Sequence, residues 1–345
     1  MEISFSLLHI PFKVAFKHNS ATRSESSTFW VEIQEDGFIG CGEGCPRVYV
    51  TGETEETCVS FFTQWKESWM NISGLPSLAS WAEDHQLEID SNLSAWCAVE
   101  MAFLDLWSQQ AEMSIPQFLG YACAEREAVY SAVLGDASEE TWKKLCDWHL
   151  QNEMCHFKLK VNGDIAIDSA RVAYIKEKCP QADIRLDANN IWKDASEAVQ
   201  FLSNLPEGIV AIEEPLVVPN WEGIHQILQA IPMDIILDEH ACLLRDLRQV
   251  KYPQRMIFNL RVSKCGGILR SIEMGRMALQ MGMKVIIGAQ VGESSALTRA
   301  GLIVAHALDG RVVAFEGGYG LNLMERDFFR VTYQFGRGGN LQFKF

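Results

Sequence analysis

The feature that most constrains this chain is a recurrence of short apolar segments, most of them closing on a charged or amide side chain, at nearly constant spacing. The segments are AVYSAVL, HFKLKV, DIRLDA, IVAIEEP, DIILDE, MIFNLRV, KVIIGAQ and VVAFEG, between Ala128 and Gly317. Each is the length of a strand, and a helix-sized stretch separates it from the next. Eight such units predict an α/β barrel closed on itself. An open doubly wound sheet is the rival, and it usually carries a G-x-G-x-x-G turn after its first strand. No such turn occurs here.

Polar residues in this half gather at strand ends. Lys158 and Lys160 share one face of the second segment. Asp187 and Asn189 end the third, Glu213 and Glu214 the fourth, Asp238 and Glu239 the fifth, and Arg261 lies near the end of the sixth. The steps from Lys160 to Asp187, Glu213, Asp238 and Arg261 are 27, 26, 25 and 23 residues, one βα unit each time. All these groups are therefore expected at one mouth of the barrel, where charged strand ends read as a catalytic site. In FNLRVSK, Phe258, Leu260 and Val262 alternate with Asn259 and Arg261, so this strand turns an amide and a permanent cation toward its polar face.

Carboxylates brought together without cations between them raise one another's pKa, and a divalent ion removes that cost. An all-oxygen set on rigid strands suits Mg²⁺, with Mn²⁺ possible, and the absence of His and Cys at these positions argues against zinc. A single strand-end Asp serves equally well as a helix cap. Three at unit spacing beside two lysines favour a site. Next to a metal and a second ammonium, one lysine can titrate near neutrality and act as a base, while the other stays charged and holds a substrate anion. The parts suit removal of a proton α to a carboxylate, so a small-molecule carboxylate is the expected partner.

The first 120 residues have another texture. ISFSLLHIPF and STFWVEIQED predict strands, with DGFIGCGEG as the turn of a meander. From Glu53 to Gln110 the pattern is helical, clearest in SAWCAVEMAFLDLWSQQ, where Trp96, Val99, Met101, Phe103, Leu104 and Trp107 give a broad apolar face. Strands followed by helices make this an α+β unit. A chain of 345 residues, 48% hydrophobic, can bury a large core and predicts one large and one smaller domain. Its net charge of −15 argues against nucleic acid or an anionic membrane as partner. No apolar run reaches about 18 residues and no basic-then-apolar leader is present, so neither a membrane span nor export is expected. The ten cysteines are scattered without a C-x-x-C pair, and Cys41 and Cys45 lack a second pair or a histidine. Reduced thiols in a cytoplasmic protein are the expectation.

The ordered motifs KLK (158–160), LDAN (186–189), IEEP (212–215), LDE (237–239), NLRVSKCGG (259–267) and GAQVGESS (288–295), with the helix around AVEMAFLDLW, cover nearly the whole chain. In this set the sequence resembles the enolase superfamily, specifically its muconate-lactonizing-enzyme subgroup of muconate cycloisomerases, dipeptide epimerases and o-succinylbenzoate synthases. The resemblance implies a modified (β/α)₇β TIM-like barrel under an α+β capping domain. The expected division is 1–120 for the cap, 121–315 for the barrel and 316–345 for a segment returning to the cap. It also implies Mg²⁺ on Asp187, Glu213 and Asp238, Lys160 as the proton-abstracting base with Lys158 beside it, and, by analogy, a homo-oligomer. The mandelate-racemase subgroup fits less well, since no His–Asp dyad stands at the sixth and seventh strands.

Two departures shape the expected reaction. Arg261 stands where the subgroup normally has lysine, and Lys264 is the next basic residue of the motif. A guanidinium is effectively never deprotonated, which suits a fixed cation over a developing enolate better than a second base. The last strand, AFEGGYG, carries only Glu316 where dipeptide epimerases commonly carry Asp-x-Asp. Both departures favour cycloisomerisation or elimination, with an amino-acid or dipeptide epimerase as the alternative and a catalytically retired carboxylate binder as a further one. Specificity is expected from HNSATRSESS (18–27) and CGEGCPRVYVTGE (41–53), where Arg23, Arg47 and Tyr49, or Glu43 and Glu53, meet the distal substrate. Asn189, Lys264, Glu293 and Glu316 complete the candidate substrate contacts.

Overall fold

The computed structural model describes residues 1–345 apart from 19, 20, 123, 319, 321, 322 and 332, and the side chains of these except 15–18, 21 and 22. Five strands open the chain: β1 (Glu2–Leu8), β2 (Pro11–His18), β3 (Ala21–Glu25), β4 (Thr28–Glu35) and β5 (Phe38–Gly44). Antiparallel β1, β4 and β5 form one sheet, and β2 pairs with β3. Helices α1 (Glu55–Trp69), α2 (Leu75–Asp84), α3 (Gln86–Asp90), α4 (Leu93–Gln110) and α5 (Ile115–Phe118) follow. Together these elements make the α+β cap.

The glycine-rich stretch differs from the expected turn. Asp36 and Gly37, at φ 49° and 83°, make the turn by themselves, while GCGEG is strand β5. Its glycines serve packing. A Cβ on Gly40, Gly42 or Gly44 would fall 2.1, 1.9 or 2.0 Å from the carbonyl oxygens of Ala102, Ala98 and Ser94. The α4 backbone thus lies directly on β5, with no side chain between. Every residue of α4 from Leu93 to Ser108 is buried, more than the one broad face its pattern implies.

The barrel half contains β6 (Glu125–Val129), β7 (Ala132–Leu134), α6 (Glu139–Gln151), β8 (His156–Lys160), α7 (Ile165–Lys178), β9 (Asp183–Asp187) and α8 (Ala195–Leu202). It continues with β10 (Ile209–Glu213), α9 (Trp221–Ala230), β11 (Asp234–Leu237), α10 (Leu244–Leu247), β12 (Met256–Leu260), α11 (Val262–Cys265) and α12 (Ile268–Met281). It ends with β13 (Lys284–Ile287), α13 (Ser295–Ala307), β14 (Ala314–Phe315) and β15 (Asn340–Lys344). Strands β7 to β14 form one eight-stranded parallel sheet in chain order. A parallel bridge between Tyr130 and Phe315, with the Ser131 N–H donating to the Phe315 carbonyl at 2.9 Å, brings β14 back to the start of β7. The architecture is the modified (β/α)₇β barrel with a capping unit.

Two segments divide differently from their sequence pattern. AVYSAVL is not one strand: its first part ends β6, which pairs antiparallel with β15, and only Ala132–Leu134 enters the barrel. The sixth strand stops at Leu260, and Arg261 leads into α11. Alternation along the strands sorts the layers. Phe157, Leu159, Leu186, Ile212, Phe258 and Leu260 join the large core toward the helices. Ala211, Ile236, Ile257 and Ile286 form a small apolar plug inside the barrel. The C-terminal segment also touches the cap, where the Lys13 N–H donates to the Leu323 carbonyl at 2.8 Å and Phe328 meets Trp30 edge-on.

Buried glutamates join cap to barrel. Glu100 of α4 accepts the Ile268 and Leu269 N–H groups at 2.5 and 3.2 Å, capping α12. Glu43 of β5 accepts those of Ser294 and Leu297 at 2.9 and 3.3 Å, capping α13. Unpaired N–H groups and the helix dipole favour an anion at both places. Burial nonetheless raises Glu43 to about 7 and Glu100 to about 8, against the downward pull of those N–H bonds.

Both folded-state values exceed the ordinary 4.5. The stability they contribute is full below that value and is lost as pH climbs through 7 to 8. The melting temperature is expected to fall from pH 6 to pH 9 and to fall less in Glu100→Gln, as scanning calorimetry across that range checks. Gly42→Ala is expected to cost about 3 kcal/mol in urea unfolding, because its methyl meets backbone that cannot rotate away.

Candidate active site

The sheet order sets the geometry of the mouth. In an eight-stranded closed sheet β8 and β12 lie four strands apart, on opposite sides, with β9, β10 and β11 forming the arc between them. Lys160 ends β8 and Arg261 follows β12. Asp187, Glu213 and Asp238 end or follow the three strands of the arc. Lys158, Lys160, Asp187, Asn189, Arg261 and Tyr49 line one pocket at this mouth.

Cations and carboxylates interleave there. Lys160 Nζ donates to Asp187 Oδ2 at 2.6 Å and Asn189 Oδ1 at 2.5 Å. Lys158 Nζ lies 3.1 Å from Asp187 Oδ2, 2.7 Å from Glu213 Oε2 and 2.9 Å from Glu316 Oε2. Arg261 Nη2 pairs with Asp238 and stands 3.6 Å from Glu213 Oε1, while its Nη1 donates to Gln290 Oε1 at 3.1 Å. Asp187 and Glu213 therefore share one ammonium, and Glu213 and Asp238 share one guanidinium.

Ionisation follows from these contacts. Burial would raise Asp187, but the Lys158 and Lys160 charges hold it well below the usual carboxylate range. Glu213 stays raised, because burial together with Asp187 and Glu316 outweighs Lys158 and Arg261. Lys158 sits well above the ordinary ammonium value: burial lowers it, and Asp187, Glu213 and Glu316 more than compensate. Lys158 is thus a fixed cation.

Several further contacts position this set. Glu214, at φ 41° just past β10, accepts the Asp238 and His240 N–H groups and pairs with His240 Nδ1. The strained residue thereby fixes the turn that carries Asp238. Asn259 Nδ2 donates to Glu213 Oε1 at 3.0 Å. Arg185, inside the barrel two residues before Asp187, lies 3.3 Å from Glu316 and also donates to Ser131. Alternation turns Asn259 toward the polar face and could have placed Arg185 inward as well, whereas no sequence signal marks the Glu214–His240 contact.

The remaining candidates scatter. Tyr49 reaches the pocket. Arg23 is half-buried on β3 and bonded to Tyr49, lowered by burial and by Arg47. Arg47 is fully buried, donating to the carbonyls of Ser27, Pro46 and Val291, and Glu43 and Glu53 cap helices, so these three do not reach the mouth. Lys264 is buried beneath it, its ammonium donating to the carbonyls of Asp238, Ala241 and Asn259. Glu293 is buried, accepts the Gln290 N–H at 2.9 Å and is raised well above the usual range by burial and Glu43. Glu316 lines the same pocket as Lys160 and Arg261, held there against Lys158 and Arg185. Residues 19 and 20 of the first specificity loop lie outside the described residues.

The donor chemistry suits a hard divalent ion: all oxygen, on rigid strand ends. Glu213 Oε2 and Asp238 Oδ1 are buried with no hydrogen-bond donor aimed at them, although ammonium groups stand 2.7 and 3.1 Å away. Among the described residues no three His, Cys, Asp or Glu side chains are grouped to hold a metal as they stand, since Lys158 and Arg261 lie between the carboxylates. The same residues also contain no helix long and apolar enough to cross a membrane.

Comparison with known proteins adds a family. The family model described as Enolase C-terminal domain-like matches residues 143–339. The L-Ala-D/L-Glu epimerase of Bacillus subtilis is 26% identical over 87% of this chain and 83% of its own length. A substrate-liganded structure of the B. subtilis epimerase superposes with a TM-score of 0.86 at 24% identity, covering 99% of this chain and 95% of that one. A hydrophobic dipeptide epimerase of Enterococcus faecalis is 27% identical over 83% of this chain and 81% of its own length. A solved dipeptide epimerase from that organism, complexed with Mg and L-Leu-L-Tyr, has a TM-score of 0.81 at 24% identity, covering 99% and 96%. Muconate cycloisomerase 1 of Rhodococcus opacus is 23% identical over 82% and 78%. These names support the epimerase alternative better than the expected cycloisomerase or lyase, because the better matches among them are epimerases. The chain is an isomerase- or lyase-type enzyme, and it belongs to the Enolase C-terminal domain-like family, within the muconate-lactonizing-enzyme subgroup of the enolase superfamily.

Proposed function

We propose that this protein is a Mg²⁺-dependent racemase or epimerase acting at the carbon α to the carboxylate of an amino-acid derivative or dipeptide. The observation that carries the reading is the opposition of Lys160 and Arg261 across one mouth, with Asp187, Glu213 and Asp238 on the arc between. A substrate seated against that arc presents one face of its α-carbon to each cation. The epimerase names of its relatives support the reaction class.

Asp187, Glu213 and Asp238 would hold the ion, in place of the contacts they now make to Lys158 and Arg261. The chemistry a bound Mg²⁺ supplies is stabilisation of negative charge at the substrate carboxylate. Lys158, locked as a cation, binds and orients that carboxylate. Lys160 Nζ, steadied by Asn189 Oδ1, takes the α-proton from one face. Arg261, held by Gln290, faces the opposite side. Its guanidinium stabilises the developing charge and is the donor available there, since a carbanion α to a carboxylate is far more basic than a guanidine. Glu316 has Lys158 against one oxygen and Arg185 against the other. A free substrate ammonium would have to displace one of these cations from Glu316, which favours an N-acylated amino acid over a dipeptide with a free amine.

Incubation of N-acyl amino acids in D₂O, followed by NMR and chiral chromatography, tests the reaction. Deuterium is expected at the α-carbon with inversion, and Lys160→Ala is expected to slow exchange at least about 10²-fold. Arg261→Ala should keep exchange on the Lys160 face and lose inversion. Exchange with strict retention in the unaltered protein would return the assignment to one-base chemistry. Isothermal calorimetry tests the ion: Glu213→Gln is expected to weaken Mg²⁺ binding at least about tenfold, and an unaltered chain that takes up no Mg²⁺ overturns the ligand assignment.

A further inference from the structure

At the opposite end of the barrel from the mouth, two thiols meet. Cys155 immediately precedes β8, and Cys179 follows α7 and precedes β9. Their Sγ atoms are 3.6 Å apart, with the Cys179 thiol donating to the Cys155 sulfur. Gln181 Nε2 also points at that sulfur, at 3.8 Å. The backbone on both sides is anchored: the Asp183 N–H donates to the Cys155 carbonyl and the Ala182 N–H to the Cys179 carbonyl, each at 2.9 Å. Cys155 is half-buried and open to a small oxidant, whereas Cys179 is buried. Among the described residues no other pair of thiols shows such a contact.

We infer that Cys155 and Cys179 are a redox modification site, a dithiol that a peroxide converts to an intramolecular disulfide and a thiol reductant restores. The sulfurs, 3.6 Å apart, already touch and have about 1.5 Å to close to reach a bond of about 2.05 Å. Cys155 sulfur attacks the peroxide O–O bond as it gives up its proton, becomes the sulfenic acid, and the departing hydroxide takes up that proton as water. The Cys179 sulfur then attacks Cys155 sulfur, the S–O bond breaks, and the hydroxide leaving group takes up the thiol proton as water. The sum is two thiols and one hydrogen peroxide giving one disulfide and two waters. Burial and the bond to Cys155 push Cys179 up to about 11, so its proton must pass to the departing hydroxide as the sulfur attacks.

The bond would close a loop containing β8 and α7, and β8 is the strand that carries Lys158 and Lys160. Since both sulfurs lie at the amino ends of the strands, far from the catalytic ends, the disulfide acts on stability and leaves the mouth untouched. This inference does not depend on the proposed reaction.

The experiment treats the full-length protein with hydrogen peroxide, then counts thiols after denaturation, maps peptides without reduction and records thermal unfolding. A fall from the ten cysteines of the sequence to eight free thiols, with one peptide pair joined through Cys155 and Cys179, is expected. The melting temperature should rise by about 5 °C and return to its starting value with dithiothreitol. Cys155→Ser and, independently, Cys179→Ala should each abolish both the cross-link and the rise. An unchanged thiol count, a cross-link between other cysteines, a sulfinic acid on Cys155 without cross-linking, or a melting temperature that fails to rise overturns the inference.

Discussion

Crowding of like charge at one end of a barrel is the constraint on which the rest of this structure depends. Asp187, Glu213, Asp238 and Glu316 converge within a region where each is almost fully buried. Two unit charges about 4 Å apart at a protein's effective dielectric interact by about 4 kcal/mol, so four such groups cannot coexist unopposed. The fold answers by alternating the signs around the ring. Lys160, Lys158 and Arg261 each touch a different subset of the carboxylates, and Arg185 supports Glu316 from below. The surroundings of the two lysines differ accordingly. Lys158 stands among three carboxylates and is committed to its proton, while Lys160 answers to one carboxylate and an amide.

Much of this was legible in the sequence because a βα unit has a nearly fixed length. Spacing alone brings Asp187, Glu213, Asp238 and Arg261 to one end, and alternation within each strand turns Lys158 and Lys160 inward. What was not legible depends on contacts between segments distant in the chain. The glycines of β5 look the same whether they make a turn or admit a helix backbone, and only α4 lying against Ala98 and Ala102 decides it. Lys264 and Arg261 belong to one basic motif. The turn into α11 sends one beneath the mouth to three carbonyls and leaves the other facing the carboxylates. Glu214 reads as a duplicate of Glu213, but its left-handed backbone points it to the neighbouring turn.

The exchange of lysine for arginine at 261 is consistent with the same charge pattern. A guanidinium is a planar fork, able to meet Asp238 and Gln290 with different nitrogens at once, which a single ammonium does less well. It therefore bridges β11 and the segment after β13 across the mouth. The cation on this side of the pocket thus ties the segments after β11 and β13 together, whereas Lys160 contacts Asp187 at the end of β9 and Asn189 just past it. An asymmetric pair of this kind suits a site in which one face does the abstraction and the other mainly holds charge, even where the net outcome is inversion.

The cap enters this arrangement through the same segment. Gln290, which holds Arg261, precedes Val291, whose carbonyl accepts the buried Arg47 of the cap at 2.6 Å. Three residues further on, Ser294 and the first turn of α13 are held by Glu43 of β5. The glycines that let α4 settle on β5 thus set where Glu43 stands, and Glu43 sets where α13 begins. That in turn fixes the loop from which Gln290 reaches the guanidinium. Packing in the cap and electrostatics in the barrel are one connected problem, and an alteration at the β5–α4 contact reaches Arg261 without touching any residue of the mouth.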